Sequence, residues 1–115
     1  MYHNVNAMKT DAVEIFQTIR AALQPYATLG FSNRINSDEE YDLWSDKNVK
    51  IEGLERNETF FACLKIEGDG VHFKYTDADE LVSSKEIKEL DDVLMKQIEN
   101  ELSIAYKYFK EQEWV

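Results

Sequence analysis

The pattern of apolar and polar positions predicts a helix, a run of strands and a second helix. The clearest signal lies near the end of the chain, over residues 91–112. Leu94, Ile98, Leu102, Ala105, Tyr106 and Phe109 fall on one stripe at helical spacing, and Lys96, Glu99, Asn100, Ser103, Lys107 and Lys110 fall mostly on the other side. Asp91 and Asp92 stand where the helix begins, beside its positive end, and Lys107 and Lys110 stand near its negative end. A first helix is predicted over residues 11–24. Ala12, Ile15, Phe16, Ile19 and Leu23 form its stripe, Asp11 and Glu14 have capping-box spacing, and Pro25 marks its end. Residues 1–9 carry no pattern and are expected to fray.

Between the helices the period changes to two. A strand over residues 26–34 alternates Leu29 and Phe31 across Gly30, and Tyr41, Asp42, Leu43 and Trp44 alternate as a second strand. Asp46, Lys47 and Asn48 supply turn chemistry, Val49 and Ile51 alternate with Lys50 and Glu52, and residues 53–57 form another turn. The strongest pair follows. Residues 59–66 and 71–75 make two strands joined by Glu67-Gly68-Asp69-Gly70, in which the glycines can adopt positive φ. Phe60, Ala62, Leu64 and Ile66 share one face, and Val71, Phe73 and Tyr75 share a face of the partner. Ser83 or Ser84 is expected to cap a short turn leading to Leu90. The fold class is therefore α+β: an N-terminal helix, an antiparallel sheet of four to five strands, and a long C-terminal helix, with helices on one face of the sheet. Phe16, Ile19, Leu64, Phe73, Ile98, Leu102 and Phe109 are predicted to share one core.

Composition narrows the function classes. The chain has 115 residues, 43% of them hydrophobic, which suits one domain with one core. Its formal net charge of −10 disfavours nucleic acid and anionic lipid; it can attract a basic protein or a cation, but an acidic surface more commonly serves only to keep a protein soluble. No apolar run reaches the length needed to cross a bilayer. Met1-Tyr2-His3-Asn4-Val5-Asn6 lacks the basic-then-apolar order of a secretory signal, and Cys63 is the single cysteine, so a cytoplasmic protein is expected.

The candidate chemistry is sparse. Cys63 and His72 stand on adjacent strands, where a thiol beside an imidazole can act as a nucleophile, but no orienting group or oxyanion hole accompanies them. Cys63 lies in an apolar strand and is expected to be a buried structural thiol. His3 and His72 do not make a zinc site. Two acidic clusters, Asp38-Glu39-Glu40 with Asp42, and Asp77 with Asp79 and Glu80, offer oxygen ligands to a hard cation, without the glycine and distant glutamate of a calcium loop. Four glycines form no dinucleotide fingerprint. Trp114 is expected to clamp the terminal helix onto the sheet.

Tyr41-Asp42-Leu43-Trp44-Ser45, the hairpin from Phe60-Phe61-Ala62 to Val71-His72-Phe73, and Leu90-Asp91-Asp92 with the closing Tyr108-Phe109-Lys110-Glu111-Gln112-Glu113-Trp114-Val115 resemble a small bacterial family, the domain-of-unknown-function family 1801, also called YdhG-like. The resemblance spans roughly residues 41–115. Glu113 stands where that family has glycine, and Ser83-Ser84-Lys85-Glu86-Ile87 lacks its usual cysteine. It implies an α+β fold with helices flanking an antiparallel sheet. Some members are described as frataxin-like iron chaperones, and the resemblance carries over no ligand residues. The expected function is a non-enzymatic binding or accessory protein with a protein partner and no cofactor. The alternative is an acidic iron-binding chaperone holding iron weakly at Asp77, Asp79 and Glu80. An enzyme with an unrecognised site comes third.

Overall fold

The computed structural model describes residues 8–79 and 81–115. Helix α1 spans Ala12–Leu23 and runs into a 3-10 turn, Gln24–Thr28. The strands are β1 (Phe31–Ser32), β2 (Glu40–Ser45), β3 (Val49–Ile51), β4 (Leu54–Arg56), β5 (Thr59–Glu67), β6 (Gly70–Thr76) and β7 (Val82–Ile87), and helix α2 spans Asp92–Glu111. The main sheet is antiparallel with order β1-β2-β5-β6-β7, while β3 and β4 form a separate two-stranded ribbon. The α+β architecture expected from the sequence is therefore present. Both helices are capped as the sequence indicates: Asp11 accepts from the Val13 amide and Asp91 from the Leu94 amide.

The local structure departs from the sequence pattern in several places. The residues expected to fray include Lys9, whose amide and carbonyl both pair with Leu90 at 2.8 Å; residues 1–7 lie outside the described residues. Residues 26–34 are not one strand, because the chain keeps turning through Pro25. A proline lacks only an N–H that a first helical turn leaves unpaired. Residues 53–57 hold strand β4 rather than turn alone. Ser83 and Ser84 cap nothing; they belong to edge strand β7. Phe60 does not join Ala62 and Leu64 in the core. The register between β2 and β5 shifts between Leu43 and Trp44, so Phe61 is the extra residue and turns inward. Phe60 turns to the opposite face and meets the Trp44 ring at 5.3 Å.

All seven residues predicted to share a core are fully buried. The helix-facing layer of the sheet consists of Tyr41, Leu43, Phe61, Ala62, Leu64, Val71, Phe73 and Tyr75, packed under α1 and α2. At its centre four rings converge. Phe31 stacks on Phe61 at 4.1 Å, and Phe109 meets Phe31, Phe61 and Trp114 edge-on. Trp114 is the clamp expected from the sequence. Glu113 takes a φ of 60°, which folds the terminus back, and the Trp114 carbonyl accepts from the Ser45 hydroxyl. Beside it, Gly30 has a φ of 109° and a Cβ there would lie 2.8 Å from Val115, so a larger residue would push the terminus away.

Tyr75 reaches from this layer to Glu101 of α2, donating its hydroxyl at 2.8 Å. Burial and the Glu101 carboxylate raise its phenol to about 12. A native pKa above the unfolded value of about 10 means that the folded state holds its proton where the unfolded chain has lost it. This contribution is complete below pH 10 and is lost as pH rises through about 12. Absorbance titration of wild type against Tyr75→Phe should therefore remove the latest-ionising phenol. The variant's stability should also decline less between pH 10 and 12.

Candidate functional site

The residues singled out from the sequence do not converge. Cys63 lies opposite Asp42 on β2 and Lys74 on β6, while His72 lies opposite Lys65. His72 instead places Nε2 2.7 Å from the Ser84 hydroxyl and Nδ1 3.4 Å from Glu67. Cys63 is half-buried on the face away from the helices, not in the core, because Ala62 and Leu64 take the inward positions. Burial raises its thiol above the ordinary value, with Glu40 and Asp42 adding to the rise and Lys74 opposing it.

The two acidic clusters divide in the same way. Asp42 turns away from Asp38, Glu39 and Glu40 and is buried, accepting from the Arg34 and Ile35 amides at 2.8 Å and from the Trp44 indole at 3.1 Å. Asp77 organises its own loop. One oxygen accepts from the Asp79 and Leu81 amides and the other from the Ser83 hydroxyl. Loss of water pushes its carboxyl up, but these hydrogen bonds prevail and hold it below the ordinary carboxylate value. Glu80 lies outside the described residues. Among the described residues no three histidine, cysteine, aspartate or glutamate side chains gather as a metal-holding group.

A different feature stands out between the helices. A groove of about 500 Å³ runs between the end of α1 with its 3-10 turn and the middle of α2. One wall is Ala22, Pro25 and Tyr26; the other is Glu99, Leu102 and Tyr106. The second set is spaced i, i+3 and i+7, so it forms one row along α2. The first wall recedes because alanine carries only a methyl group. The floor is fully buried Leu102. Tyr26 and Tyr106 have ring centroids 5.5 Å apart with planes at 59°, and Tyr26 is braced from below by Phe61 at 5.5 Å. Burial raises the Tyr26 phenol above its ordinary value, and Tyr106 and Glu99 raise it further. Glu99 is exposed and supplies a carboxylate at the lining. The nearest α1 cation is engaged elsewhere: Arg20 lies over Phe16 at 5.2 Å and donates to the Ser37 carbonyl at 3.1 Å.

The sequence signal for this groove was present but divided. The helical period puts Tyr106 on the apolar stripe and Glu99 on the polar side, and the groove lies on the boundary between them. The alternation around Gly30 extends a strand back to Tyr26, whereas the 3-10 turn holds that residue against α2.

A second hollow, of about 290 Å³, lies where the β3–β4 ribbon meets the end of β5. Ile51, Phe60, Val82 and Trp114 contribute apolar surface there, and Arg56 and Asp79 contribute opposite charges. No helix among the described residues is long and apolar enough to cross a membrane. The chain matches no known family model, no curated protein and no solved structure.

Proposed function

We propose that the protein is a non-enzymatic, cytoplasmic binding module that holds a basic segment of a partner protein in the groove between α1 and α2. The observation that carries this reading is the groove itself: two tyrosine rings, an apolar lining of Ala22, Pro25 and Leu29 and an exposed carboxylate, on a chain of net charge −10. Its concave apolar body offers area for affinity, and the aromatic-plus-carboxylate corner selects positive charge. The surrounding acidity attracts such a segment from a distance. The resemblance to the YdhG-like family supports an accessory role without naming a reaction.

The test is an amide-resolved NMR titration with a short blocked peptide of lysine, arginine and glycine. Shifts should concentrate at residues 21–29 and 99–106 and weaken in the Glu99→Gln variant. Shifts spread over the acidic loops at 38–40, 67–69 and 77–79, with the groove silent, would show a polyelectrolyte effect and sink the proposal.

A further inference from the structure

We infer that the residue seated in this groove is an arginine, with its guanidinium against the Tyr26–Tyr106 corner and its fork on the Glu99 carboxylate. The inference rests on the binding-module reading and specifies its occupant. Charge complementarity gives the sign. The lining contains a carboxylate and no cationic side chain, and Arg20, the α1 cation, is held over Phe16 and by Ser37. The shape then separates arginine from lysine. A guanidinium is planar and weakly hydrated, so it can lie on an aromatic face while presenting two N–H groups to one carboxylate. A lysine ammonium is a compact, strongly hydrated point charge and gains less from a ring plane. The two tyrosine planes, inclined at 59°, provide one face to stack on and a second to close the edge. Ala22, Pro25 and Leu29 line the approach with apolar surface suited to the methylene stem of the side chain. Glu99 keeps both oxygens available because it is exposed, whereas the neighbouring Glu101 is already tied to Tyr75 and Lys85.

The experiment compares three blocked tripeptides that differ only at the middle residue: arginine, lysine or citrulline. Citrulline keeps the planar shape and loses the charge. Binding is followed by NMR through the ring protons of Tyr26 and Tyr106. Arginine should bind about tenfold more tightly than citrulline and severalfold more tightly than lysine, a difference on the order of a cation–π contact plus a charge-assisted hydrogen bond. Glu99→Gln, an exposed change that leaves the fold intact, should abolish most of the preference over citrulline. Tyr106→Leu keeps apolar bulk and should abolish most of the preference over lysine. Equal binding of arginine and lysine, or of arginine and citrulline, overturns the arginine assignment and leaves the binding-module reading standing. No shift at either ring with any of the three, together with a silent groove in the mixed basic peptide titration, overturns both.

Discussion

Replacing Phe109 by alanine is expected to remove about 3–5 kcal/mol of stability, the cost of deleting a large buried aromatic from a close-packed core. Phe109 is fully buried and is the ring on which the others converge, with Phe31 at 5.8 Å, Phe61 at 5.3 Å and Trp114 at 5.3 Å. These partners come from β1, from β5 and from the terminus beyond α2, so the void cannot collapse by moving one element. The loss is a large share of the roughly 5–15 kcal/mol that holds a domain of this size together. Phe109→Leu should cost much less, because most of the volume is retained. Urea denaturation followed by tryptophan fluorescence reads both, since Trp114 packs directly on the ring. A Phe109→Ala loss below about 1 kcal/mol would mean that α2 does not close the core in this way.

The same stretch explains what was legible in the sequence. The stripe of α2 is long and regular, and the burial of Ile98, Leu102, Ala105 and Phe109 follows it without exception. The stripe of α1 and the β5–β6 hairpin were legible for the same reason: one face is buried and the other is wet, so the period is written into the residue types. Strand β7 is hidden because Ile87 is the one apolar residue on its inward face, where it joins the core at the strand's end. Ser83 and Lys85 point toward the helix side, where Asp77 and Glu101 receive them, while Ser84 and Glu86 lie on the exposed opposite face, with Ser84 against His72. Polar residues on an edge strand discourage pairing with other chains, and the same feature erases the alternation. Phe60 and Phe61 were exchanged because a bulge adds a residue without any change in composition. The helix groove was illegible as a site because it forms only where the 3-10 turn brings Tyr26 against α2, a tertiary placement that no local pattern contains.

Asp42 shows how far an acidic residue can depart from its apparent cluster. Its neighbours in sequence suggested a cation site, yet its side chain is an internal acceptor for the loop that follows β1. One oxygen takes the amides of Arg34 and Ile35, and the other takes the indole of Trp44. This fixes the backbone at Arg34, whose guanidinium lies 4.6 Å over the Trp44 ring and reaches Asp46 at 2.6 Å and Glu58 at 2.7 Å. The exposed ion pairs add little by themselves, but they depend on the loop that Asp42 holds.

Asp42→Ala should therefore cost about 3 kcal/mol or more, since three donors lose a charged acceptor and a hydrogen bond to a charged group contributes about 1.5–3 kcal/mol net, less where water reaches the freed donor. Asp42→Asn is expected to retain part of this. Its carbonyl oxygen can keep both amides, while its NH₂ group must face the indole N–H, donor against donor. Trp44→Phe removes that clash together with the indole bond, so the double variant Asp42→Asn with Trp44→Phe should lose less than the sum of the single changes. Equilibrium denaturation of the four proteins gives the coupling directly. Hydrogen exchange adds a residue-level reading, because the Arg34 and Ile35 amides should lose protection in Asp42→Ala and retain it in Asp42→Asn. Unchanged exchange at those two amides in the alanine variant would show that the loop is held by β1 and β2 alone, and that the carboxylate is an ornament of the turn rather than its anchor.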